Sequence, residues 1–246
     1  MALSRGPKIV TSGLVLALDA ADKNSYPGSG AIWYDLSGNN NNFTLYNTPT
    51  FNSSGYFVLN GTNQYFRSTN TLNLGPYNSV SVCLFFKPLT YPSFGQVKSL
   101  YELSNDFNSF QYGFIHSYND TSLAQNYEIF TSIKGNVGYN IGTWNKSNYS
   151  DLNWKNSVGI FDKSQSSAET SLYVNGNIAT VIQNPAVGYS NNNTNNFGDD
   201  YFYIGSRGGS NLFSDINLST ILIYNRVLST TEIAQNYNAQ KTRFGL

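Results

Sequence analysis

The sequence contains few of the residues from which catalytic and metal-binding sites are usually built. Its 246 residues include one cysteine, Cys83, and one histidine, His116. A single cysteine excludes an internal disulfide. A single histidine excludes a multi-histidine metal site. One cysteine and one histidine together give no basis for a Ser-His or Cys-His relay, and they are too few ligands for a zinc site. We predict that Cys83 fills a small space in the core and that His116 is a half-buried polar residue of a strand.

Charge and long apolar runs are also scarce. Charged residues make up 11% of the chain and the formal net charge is zero. No basic patch is available for nucleic acid or an anionic membrane. No run is long enough to span a bilayer, and residues 1–8 lack the apolar segment of a signal peptide. We therefore expect neither a nucleic-acid partner nor membrane insertion, and synthesis in a cytoplasm without secretion.

The residues that are abundant predict an all-β protein. The hydrophobic content of 40%, with 15% aromatic residues, is enough for a sizeable core. Short β-branched and aromatic runs bounded by Gly, Ser and Asn predict strands. These runs lie at 13–20, 80–87, 99–103, 111–116, 127–133, 137–141, 154–162, 171–174, 201–204 and 219–224. Asn175-Gly176 predicts a type I′ hairpin turn. Residues 219–224 are apolar on both alternations, so this strand is expected to be covered on both faces.

A short helix is predicted after the last strand. Ser229 is a suitable N-cap, and Glu232, three residues later, completes a capping box. Ile233 and Tyr237 then share one helix face, which we expect to pack on the sheets. Before the first strand, residues 1–12 are predicted to form an arm that either packs on a neighbour or is a frayed end. Residues 13–246 form one domain in this interpretation.

Two segments at opposite ends of the chain resemble one family. Residues 13–66, with "GLVLALD", "YPGSG" and "WYDLSGN", resemble the opening of laminin-G-like, concanavalin-A-like domains, in the version found in tailed-phage and other virus structural proteins. Residues 203–239, with "YIG", "ILIYNR" and "LSTTEI", resemble the closing segment of the same family. The resemblance implies a two-sheet antiparallel jelly-roll sandwich with a short C-terminal helix. Asp215 stands where the family usually has glycine, so either Asp215 is left-handed or this edge is built differently.

The resemblance implies a virion protein that recognises surfaces, decorating a capsid or forming part of a tail or fibre. Its expected partners are other virion proteins, further copies of itself and host-surface glycans. The alternatives are a glycan-binding module for host attachment, with or without calcium, and a glycoside hydrolase. A hydrolase is disfavoured because the glutamates lack the Glu-x-Asp-x-x-Glu spacing of related glucanases. These glutamates are Glu102, Glu128, Glu169 and Glu232. We therefore predict no catalytic residue and no enzymatic activity.

Calcium is the one metal that the sequence keeps in consideration. Oxygen ligands are available in Asp19, Asp22, Asp35, Asp199, Asp200 and Asp215. None of them follows an alternating Asp-x-Asp-x-Asp pattern, and Asp35 is equally suited to an Asx-turn. We therefore predict no cofactor and no metal ligand set.

For sugar binding, the relevant chemistry is an exposed aromatic ring with amides and hydroxyls nearby. Trp33 and Trp154 match core positions of the family and are assigned to packing. Trp144 lies between two predicted strands and is the better candidate for a stacking platform. The candidate carbohydrate-binding residues are Trp144, Tyr139, Tyr149 and Asn145.

Overall fold

The computed structural model describes residues 8–93, 95–104, 112–120, 127–136, 138–140, 144–145, 151–165, 169–179, 181–182 and 193–246. The first strands are β1 (Leu14–Asp19), β2 (Ile32–Trp33), β3 (Phe43–Tyr46), β4 (Thr50–Asn52), β5 (Tyr56–Val58), β6 (Tyr65–Ser68), β7 (Ser79–Pro88), β8 (Val97–Leu103) and β9 (Phe114–Asp120). They are followed by β10 (Tyr127–Gly135), β11 (Gly138–Asn140), β12 (Trp144–Asn145), β13 (Lys155–Asp162), β14 (Thr170–Val174), β15 (Asn177–Ile178), β16 (Val181–Ile182), β17 (Phe202–Ile204) and β18 (Ile216–Tyr224).

These strands form two antiparallel sheets, as predicted. Sheet A has the order β15-β14-β13-β7-β18-β5-β4, with β1 also paired to β18. Sheet B has the order β16-β12-β10-β9-β8-β17-β6-β3-β2, with β11 also paired to β10. β7 and β18 are neighbours in sheet A although most of the strands between them in sequence belong to sheet B. The chain therefore crosses repeatedly from one sheet to the other. The arrangement is the expected jelly-roll sandwich.

The main core lies between the sheets and is rich in phenylalanine. Trp33 is fully buried, with its ring centroid 4.9 Å from that of Phe57 and 5.2 Å from that of Phe66. Every residue of β18 is buried, which confirms that this strand is covered on both faces. Trp154 packs by its ring against Tyr56 and Phe244, at centroid distances of 5.6 and 4.7 Å. Trp33 therefore has the core position that the sequence predicts, whereas Trp154 packs by its ring but is only half-buried.

A second apolar cluster lies on the outer face of sheet A, beneath the C-terminal helix α1 (Thr230–Gln240). The helix begins with the predicted capping box: the Ser229 side chain accepts from the Glu232 backbone, and the Glu232 side chain accepts from the Ser229 backbone. Ile233 is fully buried in this cluster, which also contains Cys83. The helix ends in a short 3-10 turn, Lys241–Phe244. No helix in the described part of the chain combines the length and apolarity needed to cross a bilayer.

Residues 8–12, the described part of the N-terminal arm, lie against the protein's own helix. The backbone N–H of Val10 donates to Asn236 Oδ1 at 2.8 Å, and the Tyr224 hydroxyl donates to the Val10 carbonyl at 2.9 Å. Both hydrogen bonds are buried, and Val10 joins the outer cluster of sheet A. These contacts hold the start of the described chain on α1 and β18.

The structure decides between the two alternatives predicted for Asp215. Asp215 has no positive φ angle; its carboxylate accepts from the Tyr118 hydroxyl at 3.2 Å and pairs with Lys98 at 3.6 Å. The edge is therefore built differently from the family's glycine turn.

His116 is fully buried, so the prediction of a half-buried residue was wrong. A polar residue is tolerated there because Tyr101 and Ser157 supply hydrogen-bond partners for both ring nitrogens, each at 3.0 Å.

Candidate functional site

The outer face of sheet B carries a row of stacked aromatic and guanidinium groups. In β6, Phe66 is buried between the sheets, so its neighbours Tyr65 and Arg67 project from the opposite face. Across the β3–β6 ladder, Tyr46 lies opposite Tyr65. On the other side, Tyr201 precedes β17, which pairs with β6. We call Tyr46, Tyr65, Arg67 and Tyr201 the tyrosine–arginine stack.

The planes of these groups lie close to one another. The rings of Tyr46 and Tyr65 are parallel to within 3°, with centroids 4.6 Å apart. The guanidinium carbon of Arg67 lies 5.1 Å from the centroid of Tyr46 and 4.5 Å from that of Tyr201. Both distances are within the range of a cation–π contact. Arg67 is therefore held between two tyrosine rings on the sheet.

Two kinds of polar group mark the stack, the tyrosine hydroxyls and the Arg67 guanidinium, and the side chain of Arg67 interacts with the Tyr203 hydroxyl on the neighbouring strand. Tyr46, Tyr65 and Tyr201 are partly exposed residues, and their hydroxyls make no hydrogen bond within the described part of the chain. The enclosed Nε of Arg67 also has no hydrogen-bond partner. Burial raises the pKa of Tyr65 above its usual value of 10.0, although Arg67 opposes this shift. The hydroxyl of Tyr65 is therefore a neutral donor and acceptor at ordinary pH.

A glycine turn closes one side of the stack. Gly209 has a φ of +72°, and a Cβ at this position would lie 2.8 Å from Cζ of Tyr65. Only glycine lets the turn approach the tyrosine ring so closely. In the same turn, Arg207 pairs with the buried Glu102, with 3.3 Å between Nε and Oε2. Gly209 thus fits this turn against the ring of Tyr65.

The sugar-binding residues predicted from the sequence lie elsewhere on sheet B. The backbone of Trp144 and Asn145 forms β12, which pairs with β10 at Phe130 and Ile129. Tyr139 lies in β11, which pairs with Lys134 further along the same edge of β10. The fold therefore brings three of the four predicted residues to one sheet edge. Their side chains, and all of Tyr149, lie outside the described part of the structure, so this site stays a prediction.

A narrow cleft lies beside that edge. It has a volume of about 300 Å³ including its open mouth, but only about 20 Å³ accommodates the centre of a water-sized molecule. Its lining residues are Phe86, Pro88, Thr90, Tyr91, Pro92, Tyr118, Ile129, Asp151, Leu152 and Lys155. The Asp151–Lys155 ion pair lies at this cleft. In this conformation the cleft has room for one small group rather than a sugar ring.

The aspartates considered as calcium ligands are engaged with donors of the protein. Oδ1 of Asp35 accepts from the backbone N–H groups of Ala17 and Ser37 at 2.9 and 2.8 Å. The second of these bonds is the Asx-turn that the sequence offered as an alternative. The carboxylate of Asp19 pairs with Arg243 at 2.7 Å. Within the described residues, no group of three or more His, Cys, Asp and Glu is placed to hold a metal ion. The absence of a cofactor stays a prediction.

The described glutamates are likewise engaged in hydrogen bonds or ion pairs with other residues of the protein. Glu102 holds Arg207, and the buried Glu169 accepts from the backbone and side-chain nitrogens of Asn193 at 2.6 and 2.7 Å. Glu232 caps α1 and pairs with Arg226 at 2.6 Å. The side chain of Glu128 lies outside the described part of the structure. None of these contacts resembles a pair of carboxylates facing each other across a substrate cleft.

The sequence itself identifies the family. The model of the Concanavalin A-like lectin/glucanases superfamily matches residues 60–234. The chain belongs to this superfamily. The match includes Tyr65, Arg67 and Tyr201 of the stack, and Glu232 of the capping box, but does not extend to residues 13–59. A comparison with curated protein sequences gives no significant match.

Solved structures share the fold of this superfamily member at low identity. A Trypanosoma rangeli sialidase in complex with sialic acid has a TM-score of 0.66 at 15% identity, covering 98% of this chain and 36% of the sialidase. The binding domain of botulinum neurotoxin DC in complex with SialylT has a TM-score of 0.61 at 13% identity, covering 93% of this chain and 52% of that chain. The botulinum neurotoxin serotype D binding domain has a TM-score of 0.58 at 13% identity, covering 94% and 53%. The chain thus spans roughly a third to a half of those proteins, and the likeness shows the fold.

Sequence reasoning did not find the tyrosine–arginine stack, although a signal was present. The tripeptides Tyr65-Phe66-Arg67 and Tyr201-Phe202-Tyr203 each place a phenylalanine between two groups with polar ends. When a strand has one face toward the core and the other toward solvent, this alternation predicts that the phenylalanine points inward and its two neighbours point outward. What the pattern does not contain is the pairing of β6 with β3 and β17, which brings the outward groups together.

Proposed function

We propose that this protein is a non-enzymatic glycan-binding adhesion protein, and that the tyrosine–arginine stack is its contact surface. One observation carries the proposal: planar groups with polar ends are stacked on a sheet face, and the hydroxyls of Tyr46, Tyr65 and Tyr201 make no hydrogen bond within the described residues. Glycans present many hydroxyls and apolar ring faces. Tyrosine suits such ligands because it combines an apolar ring with a hydroxyl that donates and accepts.

The stack is suited to binding because it is already ordered. Tyr46 and Tyr65 are paired across a β-ladder, and Arg67 is held between Tyr46 and Tyr201. A ligand therefore does not have to immobilise long flexible side chains, which otherwise costs about 0.5–1.5 kcal/mol for each. Superfamily membership supports the proposal, and so do fold neighbours whose structures contain sialic acid or SialylT.

The setting that we propose is the virion. The support is the resemblance of residues 13–66 to tailed-phage structural proteins. In that setting the protein decorates a capsid or forms part of a tail or fibre, docks on other virion proteins or on copies of itself, and presents the stack to host-surface glycans. Labelling of intact particles with an antibody against the protein tests this setting: labelled heads or tails support it, and particles that lack the protein contradict it.

A glycan array tests the binding function. The wild-type protein should bind a subset of glycans, and Tyr46→Ser or Tyr201→Ser should weaken that binding at least about tenfold, which corresponds to about 1.4 kcal/mol. Tyr91→Ser is the matched control, since Tyr91 is 40% exposed and lines the narrow cleft instead. If Tyr91→Ser removes binding and Tyr46→Ser does not, the cleft is the site. If the wild type binds no glycan, the function is wrong.

The same preparation tests the two alternatives. We expect no release of sugar from any bound glycan, because the described glutamates are engaged with protein donors. Turnover that disappears when one carboxylate is removed would establish a hydrolase. We also expect binding to be unaffected by EDTA, because Asp19 is already paired with Arg243 and Asp35 already accepts a hydrogen bond from the backbone N–H of Ala17. Loss of binding in EDTA that calcium restores would establish a calcium-assisted lectin.

A further inference from the structure

Arg67 differs from the other arginines of the described chain in having no carboxylate partner. Arg207 pairs with Glu102 at 3.3 Å, Arg226 with Glu232 at 2.6 Å, and Arg243 with Asp19 at 2.7 Å. Arg67 has two tyrosine rings instead. Within the described residues it makes no ion pair, and the nearby Glu102 is already paired with Arg207.

The guanidinium of Arg67 is also incompletely hydrogen-bonded. Its Nε is enclosed and has no acceptor among the described residues. A buried donor left in this state costs about 1–3 kcal/mol, and such a group in a folded protein requires an explanation. Arg67 as a whole is partly exposed, and its side chain also interacts with the Tyr203 hydroxyl. A ligand therefore reaches Arg67 through the exposed part of this side chain.

We propose that Arg67 makes the tyrosine–arginine stack selective for saccharides that carry an anionic group, a carboxylate or a sulfate ester. This inference rests on the proposed glycan-binding function and names the ligand class of that site. A planar guanidinium held between two rings offers parallel N–H donors in a fixed plane, the geometry that a carboxylate accepts in a bidentate manner. The tyrosine hydroxyls on either side then meet the hydroxyls of the same sugar.

The charge around the stack limits the ligand to one anionic group at a time. The chain has a formal net charge of zero, so no extended positive field attracts a polyanion. Next to Arg67 on the β6–β17 ladder is Tyr203, not a second cation. The stack therefore suits a single acidic residue within an otherwise neutral glycan.

A position opposite Arg67 allows the charge to be neutralised without removing the stack. Thr44 faces Arg67 directly in the β3–β6 ladder, and directly opposed Cβ atoms lie about 4.5–5.5 Å apart. A glutamate at this position reaches the guanidinium and supplies the missing carboxylate. Thr44→Gln has the same length without the charge and is the matched control.

The experiment compares a neutral oligosaccharide with two derivatives of the same oligosaccharide, one bearing a sialic or uronic acid and one bearing a sulfate ester. Wild-type protein and Thr44→Gln should bind at least one acidic derivative about tenfold more tightly than the neutral parent, a difference of about 1.4 kcal/mol. The two acidic arms identify which anion is preferred. Thr44→Glu should bind the neutral parent as wild type does and should lose the acidic preference.

Arg67→Gln and Arg67→Lys provide a second test. Arg67→Gln should abolish the ratio of acidic to neutral binding, and Arg67→Lys should retain part of it, because lysine keeps the charge but not the planar donor pair. Melting temperatures establish that each variant is folded. Equal binding of acidic and neutral glycans by the wild type would overturn this inference and leave the proposed function intact. Binding of none of them would overturn both.

Discussion

The buried histidine predicts how the stability of the fold depends on pH. His116 lies in β9, fully buried, with Tyr101 and Ser157 bound to its two ring nitrogens. Burial lowers the pKa of His116 from its usual 6.5 to about 3. In the unfolded chain the ring is hydrated and titrates near its usual value. Between those two values the unfolded state binds one proton more than the folded state, so acid favours unfolding.

The sign and size of the effect follow directly. The contribution of the neutral ring is fully present above pH 6.5 and is lost as the pH falls toward 3. The slope of the free energy of unfolding approaches 1.4 kcal/mol per pH unit, so acidification from about pH 6.5 to about pH 4.5 should cost about 2 kcal/mol. This window belongs to His116 because the sequence has no other histidine. The carboxylate of Glu232, whose pKa is lowered from 4.5 to about 2 by the hydrogen bond from Arg226, adds a loss that begins near the lower end of this range and grows toward pH 2.

Urea unfolding at a series of pH values measures the slope. His116→Gln should be less stable than the wild type at neutral pH but should lose the slope between about pH 6.5 and about pH 4.5. Ser157→Ala is the control, because it removes the hydrogen bond to Nε2 but keeps the titrating ring; it should be less stable at every pH and retain the slope. If the wild type and His116→Gln show parallel pH dependence, His116 is not a buried neutral ring and the reasoning is refuted.

Three further predictions concern stability and reactivity. Ser229→Ala should lower the free energy of unfolding by about 1 kcal/mol by removing the helix cap, whereas the exposed Thr230→Ala should change it little; urea unfolding of both variants checks this. Gly159→Ala should destabilise by about 1–3 kcal/mol, because a Cβ there would lie 2.4 Å from the Tyr101 hydroxyl, and an unchanged melting temperature would contradict the packing described. Cys83 should be unreactive toward a thiol reagent until the protein unfolds, because burial raises the pKa of its thiol to about 12; rapid labelling of the folded protein would show that the site opens.

The sequence predicted those parts of the fold that depend on local pattern. The apolar run of β18, the Asn175-Gly176 turn and the capping box each follow from residues close together in the chain. Asn175 and Gly176 both have positive φ values, 50° and 80°, as a type I′ turn requires. The strands β2 to β6, β12 and β16 were missed, because strands of two to four residues are too short to show a clear alternation. The complete burial of His116 was missed because its partners, Tyr101 and Ser157, come from other strands.

The same distinction explains why a site was predicted at Trp144 and not at Arg67. Sequence reasoning selects the rarest aromatic residue in a loop-like segment, whereas the stack is assembled from β3, β6 and the start of β17. A chain with 19 tyrosines will expose some of them in any case, so exposure alone does not identify a site. Two buried tyrosines on other strands have protein partners: the hydroxyl of Tyr118 donates to Asp215 and that of Tyr224 to the Val10 carbonyl.

Composition therefore explains a tyrosine surface but does not explain the arginine within it. A free hydroxyl on a partly exposed tyrosine is satisfied by water at little cost. An arginine between two rings, with an enclosed Nε and no carboxylate among the described residues, keeps a cost that water does not remove. Replacement of that arginine by a neutral residue would be the simpler solution if the face served only solubility. Arg67 is thus the feature of this face on which the proposed preference for an acidic ligand rests, because it is a cation with two tyrosine rings and no carboxylate partner among the described residues.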